Sequence, residues 1–328
     1  MAISLVTGGA GFIGSHLVDA LLERGDQVRV LDDFSTGSWE NLEADRERLE
    51  IVEGDIADPA AVRAAVRGVE VVYHQAALAS VPRSVANPLA THRVCVDGTL
   101  QVLLAARDAK VRRVVYAASS SAYGNSARLP KSESDPTGPL SPYAAAKLAG
   151  ENYCAAFSEV YGLETVRLRY FNVFGPRQTP DSPYAAVIPL FMQALTTNRS
   201  PMIHGDGEQS RDFTFVADVV QANLLAATVP GVSGRVYNVA CGRRTSLLEL
   251  VALLNGLLGT NIAPKHAAPR LGDVKHSQAT IERAREDLGY RPTTDMKEGL
   301  RRCLEWWERR GDFHGCGAHG PIESAAVR

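Results

Sequence analysis

Short apolar runs alternate with helix-like stretches through the first half of the chain. The runs are rich in Val, Ile and Leu, whereas the stretches between them show the spacing of amphipathic helices. The pattern predicts strands at Ile3 to Thr7, Gln27 to Asp32, Leu49 to Glu53, Glu70 to His74, Arg113 to Ala118 and Glu164 to Tyr170. It predicts helices at Phe12 to Arg24, Ala60 to Arg67, Pro88 to Ala109 and Tyr143 to Tyr161. This alternation indicates an α/β fold with a doubly wound parallel sheet, covered on both faces.

Beyond Phe171 the pattern becomes irregular, and stretches with Pro and Gly interrupt it. Strand-like pieces alternate with predicted helices at Val187 to Thr197, Val216 to Thr228, Ser246 to Gly256, Ile281 to Gly289 and Met296 to Arg309. We therefore predict a smaller mixed α/β C-terminal domain over the carboxyl edge of the sheet. Residues 1–172 would form the first domain, with 213–240 returning to it, and 173–212 with 241–310 the second. Residues 311–328 would be a loose tail.

Composition and charge exclude several classes of protein. The 328 residues suffice for a large core, and their net charge of −2, with both signs interspersed, gives no basic surface for nucleic acid. No run of about eighteen apolar residues predicts a membrane span, and the N-terminus lacks the pattern of a secretory signal. The five cysteines and the dispersed histidines lack metal-ligand spacing. We expect reduced thiols, a cytoplasmic location, no metal site and structural or surface roles for the histidines.

A glycine-rich run, VTGGAGFIGSHL, follows the first predicted strand and opens the first helix. Gly8, Gly11 and Gly14 have the spacing that lets a pyrophosphate approach the amides at a helix start. Asp32 ends the next strand about twenty residues later, where a carboxylate accepts hydrogen bonds from both ribose hydroxyls. Because it would also repel a 2′-phosphate, these features predict a Rossmann-type domain that prefers NAD to NADP. A glycine-rich turn without a ligand is the alternative.

Asp55 and Ile56 end the third predicted strand, in the run EGDIAD. The Asp55 carboxylate could accept a hydrogen bond from the adenine amine of a bound dinucleotide. It could instead cap the helix that begins near Pro59, although Asp58 is better placed for that role. Both interpretations of Asp55 stay open at this point.

Tyr143 and Lys147 lie four residues apart in the run SPYAAAK, in a predicted helix. Their side chains therefore share one face, and an ammonium beside a phenol lowers the phenol pKa from about 10. Such a tyrosine takes a proton from a sugar or alcohol hydroxyl near neutral pH. Ser119, Ser120 and Ser121 end the strand VVYAASSS, where a serine can relay that proton. Alone, the Tyr–Lys pair is also typical of an exposed helix, and the serines of a polar loop.

Seven motifs occur in order along the chain: TGGAGFIG, HQAALASVPRSV, SSSAYG, SPYAAAK, RYFNVFGPRQ, RDFTFVADV and RLGDVKHSQA. With them the chain resembles the extended short-chain dehydrogenase/reductases, specifically the NAD-dependent nucleotide-sugar 4-epimerases, from about Ile3 to Pro292. The resemblance implies that Tyr143 takes the O4 proton of a UDP-sugar while hydride passes from C4 to NAD. The 4-keto sugar then turns over and hydride returns to its other face, so that NAD stays bound.

The resemblance also implies three sets of functional residues. The catalytic residues are Tyr143, Lys147 and Ser119. The cofactor contacts are Gly8, Gly11, Phe12, Ile13, Gly14, Asp32, Asp33, Ser35, Thr36, Gly37, Asp55, Ile56, Gln75, Ala76, Ala77, Tyr143 and Lys147. The substrate contacts are Arg83, Ser119, Ser120, Ser121, Tyr143, Asn172, Arg211, Arg270, Asp273 and Ser277. Asp33 departs from the asparagine that the family more often shows there.

Ser120 and Ser121 separate epimerisation from the sister reactions of the family. At these positions the 4,6-dehydratases carry an Asp–Glu pair, and the UDP-glucuronate decarboxylases carry a glutamate at the second. A hydroxyl cannot replace those acids as a proton donor or base. The resemblance therefore implies 4-epimerisation, with a dehydratase, a decarboxylase and a 4-ketoreductase as alternatives. A binding protein that senses redox state also stays open, although it would not need a tuned phenol.

Ser277 stands where the family gates the space beside the sugar, and a small residue leaves room for an N-acetyl group. The implied substrates are UDP-Glc/UDP-Gal, UDP-GlcNAc/UDP-GalNAc, or both. UDP-glucuronate stays open because Arg83 or Arg177 could pair with its carboxylate. The resemblance further implies a homodimer built through the helices near 88–109 and 143–161.

Overall fold

The computed structural model describes residues 3–42, 47–178, 180, 186–269 and 274–311. The strands are β1 (Ile3–Thr7), β2 (Gln27–Asp32), β3 (Leu49–Glu53), β4 (Val69–His74), β5 (Arg113–Ser119), β6 (Glu164–Tyr170), β7 (Val173–Phe174), β8 (Met202–His204), β9 (Ser210–Arg211), β10 (Thr214–Phe215), β11 (Arg235–Val239), β12 (Thr245–Ser246) and β13 (Lys265–Ala267). The α-helices are α1 (Phe12–Glu23), α2 (Pro59–Val66), α3 (Val81–Ala86), α4 (Pro88–His92), α5 (Thr99–Asp108), α6 (Pro142–Tyr161), α7 (Val187–Thr196), α8 (Val216–Thr228), α9 (Leu247–Leu258), α10 (Glu282–Leu288) and α11 (Met296–Arg309).

Seven of the described strands form one parallel sheet in the order β11-β6-β5-β4-β1-β2-β3. The chain first builds outward from β1 to β3, then restarts at β4 on the other side of β1 and builds outward to β6. This order confirms the predicted doubly wound α/β fold. It also places the switch point between β1 and β4, where the loops after the two strands diverge and leave a crevice for a ligand.

Helices cover both faces of the sheet. On one face, α1, α8 and α10 pack around buried residues such as Leu17, Val219 and Leu288. On the other face, α2, α5 and α6 pack around buried residues such as Leu103 and Phe157. Because both faces are covered, the sequences of the inner strands are nearly continuous apolar runs and do not alternate between apolar and polar residues. In β5, for example, the first six residues are all buried.

The predicted helical stretch from Pro88 to Ala109 is present, but it is not one regular α-helix. The structure divides it into α4, a π-helical turn at Arg93–Gly98 and α5, and it adds α3 before them. Side-chain caps set the starts of α3 and α4: Ser80 accepts from the backbone N–H of Arg83 at 3.2 Å, and Asn87 accepts from that of Ala90 at 3.0 Å. A proline follows closely after each cap, at Pro82 and Pro88, where the missing N–H costs nothing.

A smaller mixed unit follows, as predicted. There α7, α9 and α11 surround a third apolar cluster that includes Phe191, Leu250 and Trp307. Two-stranded ladders join β7 with β10, β9 with β12 and β8 with β13. Strands this short carry no periodic pattern, which is why the sequence did not predict most of them. Within the described part of the chain, no helix combines the length and the apolar character needed to cross a membrane.

Candidate functional site

Two glycines of the turn between β1 and α1, Gly8 and Gly14, lie where a side chain would not fit. Gly8 has a φ of 68°, and a Cβ there would lie 2.7 Å from the backbone N and Cα of Ala76. A Cβ at Gly14 would overlap the carbonyl oxygen of Gly8, so both glycines serve the packing of the turn. A Cβ at Gly11 would meet only that same oxygen, at 3.3 Å. Gly11 also begins α1 without a side-chain cap, which leaves the helix amides open to an anion.

A cavity of about 390 Å³ lies over this turn at the switch point of the sheet. Most of the predicted cofactor contacts line it, together with Arg83: Gly8, Gly11, Phe12, Ile13, Gly14, Asp32, Asp33, Ser35, Thr36, Asp55, Ile56, Gln75, Ala76, Ala77, Tyr143 and Lys147. Gly37 does not line it. A Cβ at Gly37 would lie 2.7 Å from that of Ala10, so this glycine serves the packing of the adjoining loop.

Asp32 is positioned by its own surroundings at the end of β2. One carboxylate oxygen accepts from the backbone N–H of Ala10 and the other from that of Phe34, both at 2.9 Å. Burial raises the pKa of Asp32, and these two hydrogen bonds oppose the shift. Each oxygen keeps a lone pair for a further donor. The neighbouring Asp33 instead accepts from the hydroxyl of Ser35 at 2.7 Å.

Asp58, and not Asp55, is the residue that caps α2. Asp58 caps α2 by accepting from the backbone N–H of Ala60 at 2.8 Å. Asp55 lines the cavity and forms an ion pair with Arg93 at 2.7 Å. The helix-cap interpretation of Asp55 is therefore wrong. Its carboxylate is part of the cavity lining.

A buried chain of hydrogen bonds runs beneath the cavity floor. His74 contacts the hydroxyl of Thr7 at 2.7 Å through Nδ1 and the hydroxyl of Thr99 at 3.0 Å through Nε2. The Thr99 hydroxyl donates to the carbonyl of Cys95, so Thr99 accepts from Nε2–H of His74. The Thr7 oxygen accepts from the N–H of Ala76, and its hydroxyl donates to Nδ1 of His74. Burial lowers the pKa of His74 to about 3, and the imidazole is neutral. This arrangement fits the structural role expected for His74.

Tyr170 lines the same cavity, although no sequence feature singled it out. Its hydroxyl lies 3.0 Å from the amide oxygen of Asn223 and 3.1 Å from the side-chain nitrogen of Gln75. The three residues come from β6, from α8 and from the loop after β4. The only signal in the sequence was the position of Tyr170 within the RYFNVFGPRQ motif.

Tyr143 and Lys147 lie in the first turns of α6. Ser141 caps this helix by accepting from the N–H of Ala144 at 3.1 Å, and Pro142 occupies its first position. Both side chains line the cavity, and Lys147 is only 4 % exposed. The expected depression of the Tyr143 pKa is not found. Burial raises that pKa instead, and a hydrogen bond with Ser119 opposes the rise.

The serines at the end of β5 form a short chain that leads to Tyr143. The Ser121 hydroxyl donates to Ser119 Oγ at 2.8 Å, and Ser119 is hydrogen-bonded to the Tyr143 phenol. The phenol of Tyr143 and the ammonium of Lys147 line the first cavity, whereas Ser119, Ser120 and Ser121 line neither cavity and connect to it through Tyr143. That arrangement can move a proton to and from a bound alcohol.

A second cavity, of about 560 Å³, lies under the smaller unit. Asn172 and Arg211 line it, as do Phe191, Arg199, His204 and Gln209, which the motifs did not single out. Asn172 has a φ of 31°, and its side chain donates to the carbonyl of Asp212 at 3.4 Å. Arg211 donates to the carbonyl oxygens of Ser210 and Lys275.

The remaining predicted substrate contacts fall in three places. Arg270 and Asp273 lie outside the described residues. Ser277 lines neither cavity, but its N–H donates to the carbonyl of Ser210 at 3.0 Å, directly before Arg211. Ser120 and Ser121 lie in the 3₁₀ turn after β5, next to Ser119.

Arg83 and Arg177 are the two arginines that the sequence offers as partners for an acidic sugar. Arg177 is engaged elsewhere, because its guanidinium forms an ion pair with Asp19 of α1 at 2.7 Å. Arg83 lines the first cavity, and in the described ranges no carboxylate pairs with it. Across the same residues, no cluster of three or more His, Cys, Asp or Glu side chains is arranged to hold a metal ion.

The doubly wound sheet, the glycine turn at its switch point and the acid that ends β2 define a dinucleotide-binding protein of the Rossmann class. Residues 4–240 match the NAD dependent epimerase/dehydratase family, and the chain belongs to that family. This membership confirms the family that the motifs predicted, an enzyme, and NAD as its cofactor.

Individual relatives match almost the whole chain. The UDP-glucose 4-epimerase of Mycolicibacterium smegmatis is 42% identical over 94% of this chain and 99% of its own length. A putative UDP-glucose 4-epimerase of Methanocaldococcus jannaschii is 40% identical over 92% and 97%. Among solved structures, the UDP-N-acetylglucosamine 4-epimerase of Methanobrevibacter ruminantium, in complex with UDP-N-acetylmuramic acid, has a TM-score of 0.90. It is 41% identical and covers 94% of this chain and 99% of its own.

Proposed function

We propose that this protein catalyses the NAD-dependent epimerisation of a UDP-hexose at C4, through a transient 4-keto sugar. The observation that carries the proposal is the hydrogen-bonded chain from Ser121 through Ser119 to Tyr143, whose side chain lines the same cavity as Lys147 and the glycine turn. The relatives at 40% and 42% identity, both named as 4-epimerases, support it.

The glycine turn and its surroundings fit the cofactor. Gly11 leaves the N-terminal amides of α1 accessible to the pyrophosphate, and Asp32 would accept from the ribose hydroxyls. Asp55 would lie at the adenine end, and Lys147 at the nicotinamide ribose. When bound, NAD supplies the group that accepts a hydride from the sugar and later returns it.

Side chains of the protein would transfer the O4 proton of the sugar. Tyr143 would take the O4 proton of the sugar as hydride leaves C4, and Ser119 would relay it and hold the oxygen in place. The buried ammonium of Lys147 would stabilise the phenolate, against the burial that raises the Tyr143 pKa. When the keto sugar presents its other face, Tyr143 would give the proton back. No net redox change results.

The residues at positions 120 and 121 favour epimerisation over the sister reactions. Dehydration and decarboxylation at the 4-keto stage draw on acidic side chains that Ser120 and Ser121 cannot replace. Two hydroxyls in the 3₁₀ turn after β5 leave the return of the hydride as the available step. A 4-ketoreductase would have to exchange its cofactor in each turnover, whereas an epimerase regenerates it.

We propose UDP-Glc/UDP-Gal, UDP-GlcNAc/UDP-GalNAc, or both, as substrates. Asn172 and Arg211 in the second cavity would hold the UDP portion, with Arg270 and Asp273 as further contacts. UDP-glucuronate is the second candidate. Its carboxylate would pair with Arg83, because Arg177 is already held by Asp19.

We further propose the division of the chain and its assembly. Residues 1–172 with 213–240 would bind NAD, and residues 173–212 with 241–310 would bind the UDP-sugar. A homodimer through α4, α5 and α6 is supported by large exposed apolar side chains on two of these helices, among them Leu89, Tyr153 and Val160. A cytoplasmic location is supported by Cys95, Cys154, Cys241 and Cys303, which are free thiols.

Proton NMR tests the reaction directly. The purified protein, without added cofactor, is mixed separately with UDP-Glc, UDP-GlcNAc and UDP-glucuronate. A new galacto-type anomeric signal in any sample is expected, and the relative rates then rank the substrates. Tyr143→Phe is the matched control: it should keep the fold and the bound NAD and lose at least about a hundredfold in turnover. Absence of the signal in every sample, also with added NAD, would contradict the proposal.

A further inference from the structure

Tyr116, on β5, contacts both the backbone and the charge of Lys147. Its hydroxyl donates to the main-chain oxygen of Lys147 at 3.1 Å. The Nζ atom of Lys147 lies 4.6 Å from the centroid of the Tyr116 ring, within the range of a cation–π interaction. Tyr116 is fully buried, so water does not weaken either contact.

We propose that Tyr116 is a positioning residue for the reaction: it fixes the backbone of Lys147 and keeps its ammonium charged. The proposal rests on the proposed function, in which Lys147 stabilises the Tyr143 phenolate. Tyr116 would act only through Lys147, because it does not line the cavity in which Lys147 and Tyr143 lie.

The buried ammonium needs such a partner. Burial lowers the pKa of Lys147, so its proton would be lost more easily than that of an exposed lysine. The groups whose charges act on Lys147 or on Tyr116 come from three sides: Cys95 of the π-helical turn, His74 of β4, and Tyr143, Glu151 and Cys154 of α6 itself.

These neighbours offer Lys147 little negative charge. His74 is neutral between two threonine hydroxyls, and burial raises the pKa of both thiols, which keeps them protonated. Glu151 is engaged by Arg169 through two hydrogen bonds, at 2.6 and 2.9 Å. The face of the Tyr116 ring remains as a source of negative potential beside the ammonium, since an aromatic ring carries a quadrupole with a negative face.

Gly150 gives Tyr116 the room to reach Lys147. A Cβ at this position would overlap the Tyr116 hydroxyl and lie 2.8 Å from Cζ. Glycine in the interior of a helix is unfavourable compared with alanine, so a glycine in the middle of α6 calls for a local reason. The ring is also held from β4, where His74 is its cross-strand neighbour at a centroid distance of 5.6 Å.

The hydroxyl contact is tested with Tyr116→Phe, which keeps the ring. We expect kcat to fall about three- to tenfold with little change in KM and no shift of the pH limits. Tyr290→Phe is the matched control, because Tyr290 also donates from a buried hydroxyl to a backbone carbonyl, that of Ala240 at 3.0 Å. Gly150→Ala should lower kcat as well, and by a smaller factor in a Tyr116→Phe background, because the overlap with the hydroxyl is then gone.

The ring contact is tested with phenylalanines of increasing fluorination at position 116. They preserve the ring framework with only a modest increase in volume, but progressively remove the negative potential of its face. The ammonium should then lose its proton at lower pH, and the alkaline limb of kcat should move down by about one pH unit across the series. NMR of ¹³C-labelled lysine, with the signal assigned through Lys147→Met, measures the same titration without reference to activity.

Two results would overturn the proposal. One is an alkaline limb and a lysine titration that stay in place across the series, in variants with the wild-type NAD content. The other is an equal loss of kcat in Tyr290→Phe and Tyr116→Phe. A failure of the proposed function is distinguishable from both, since wild-type protein would then epimerise none of the UDP-sugars, while the lysine titration would still report on Tyr116.

Discussion

Ser121 donates its hydroxyl hydrogen to Ser119 Oγ at 2.8 Å, and the Ser121 N–H donates to the same atom at 3.2 Å. Ser119 therefore accepts two hydrogen bonds and has its own hydrogen left for the phenol of Tyr143. A donor to the phenol oxygen favours the phenolate and lowers the pKa of Tyr143. The direction of this chain supports a tyrosine that acts as a base.

Replacing Ser121 tests whether this direction matters. Ser121→Ala removes the hydroxyl donor and leaves the backbone donor in place. We expect kcat to fall about three- to tenfold and its acid limb to move to higher pH, because Tyr143 holds its proton more tightly. Ser121→Thr keeps a hydroxyl and should retain most of the activity. A pH–rate profile of Ser121→Ala that matches the wild type would contradict the prediction.

Changing Gly11 or Gly14 to alanine should affect different properties: NAD binding in the first variant and stability in the second. The Cβ of Gly11→Ala meets only a carbonyl oxygen at 3.3 Å but projects into the expected path of the pyrophosphate. We expect at least tenfold weaker NAD binding with little change in the free energy of unfolding. Gly14→Ala overlaps the Gly8 carbonyl and should lower the free energy of unfolding by about 1–3 kcal/mol. Calorimetric binding and denaturant unfolding separate the two effects, and equal destabilisation by both variants would argue against the distinction.

The sequence was informative where local spacing determines the structure. The glycine turn, the acid that ends β2, the cap at Asp58 and the helix that carries Tyr143 all depend on residues close together in the chain. Each was predicted in the place where the structure has it. The parallel sheet followed from the alternation of strands and helices, which neighbouring residues also encode.

The hydrophobic pattern of the sequence did not predict contacts between segments that are distant along the chain. The hydrogen bonds among Gln75, Tyr170 and Asn223 join residues up to 148 positions apart. The second cavity takes residues from α7 and from several short strands without periodicity. The Tyr143 pKa shows the same limit, because the spacing to Lys147 is local but the depth of burial depends on the whole fold.

Asp212 predicts a pH dependence of stability. This fully buried carboxylate accepts from the N–H groups of Cys241, Gly242 and Ala279, yet burial raises its pKa to about 6. The folded state therefore binds the proton more tightly than the unfolded chain, whose pKa is near 3.8. The resulting stabilisation is complete below about pH 4 and is lost as the pH rises through 6, by up to about 3 kcal/mol.

Asp212→Asn isolates that contribution. The amide does not titrate, and its NH₂ group would face backbone N–H donors, so the variant should be less stable at every pH. The difference in the free energy of unfolding between wild type and variant should be larger at pH 4 than at pH 7. Denaturant unfolding at the two pH values measures it. A difference that is the same at both would show that Asp212 does not titrate in this range.

The proposed homodimer predicts the effect of charge on α4 and α6. Leu89 is 81% exposed and Val160 is 69% exposed. Exposed apolar side chains of this size favour burial against a second subunit. Leu89→Glu combined with Val160→Glu should shift the protein to monomers in analytical ultracentrifugation. Trp39→Gln is the control, because Trp39 is also exposed but lies outside these helices. Wild-type protein that sediments as a monomer, or a double variant that stays dimeric, would contradict the proposed interface.

Ser277→Tyr tests the proposed gate beside the sugar. The N–H of Ser277 donates to the carbonyl of Ser210, which fixes the position of its backbone next to Arg211 in the second cavity. Ser277 itself lines neither cavity, so the prediction is that the much longer side chain of a tyrosine reaches the space that an N-acetyl group needs. We expect the ratio of kcat/KM for UDP-GlcNAc to that for UDP-Glc to fall at least tenfold, a loss of about 1.4 kcal/mol in discrimination. Ser277→Ala should leave the ratio unchanged, whereas an equal loss on both sugars in Ser277→Tyr would mean that this residue is not the gate.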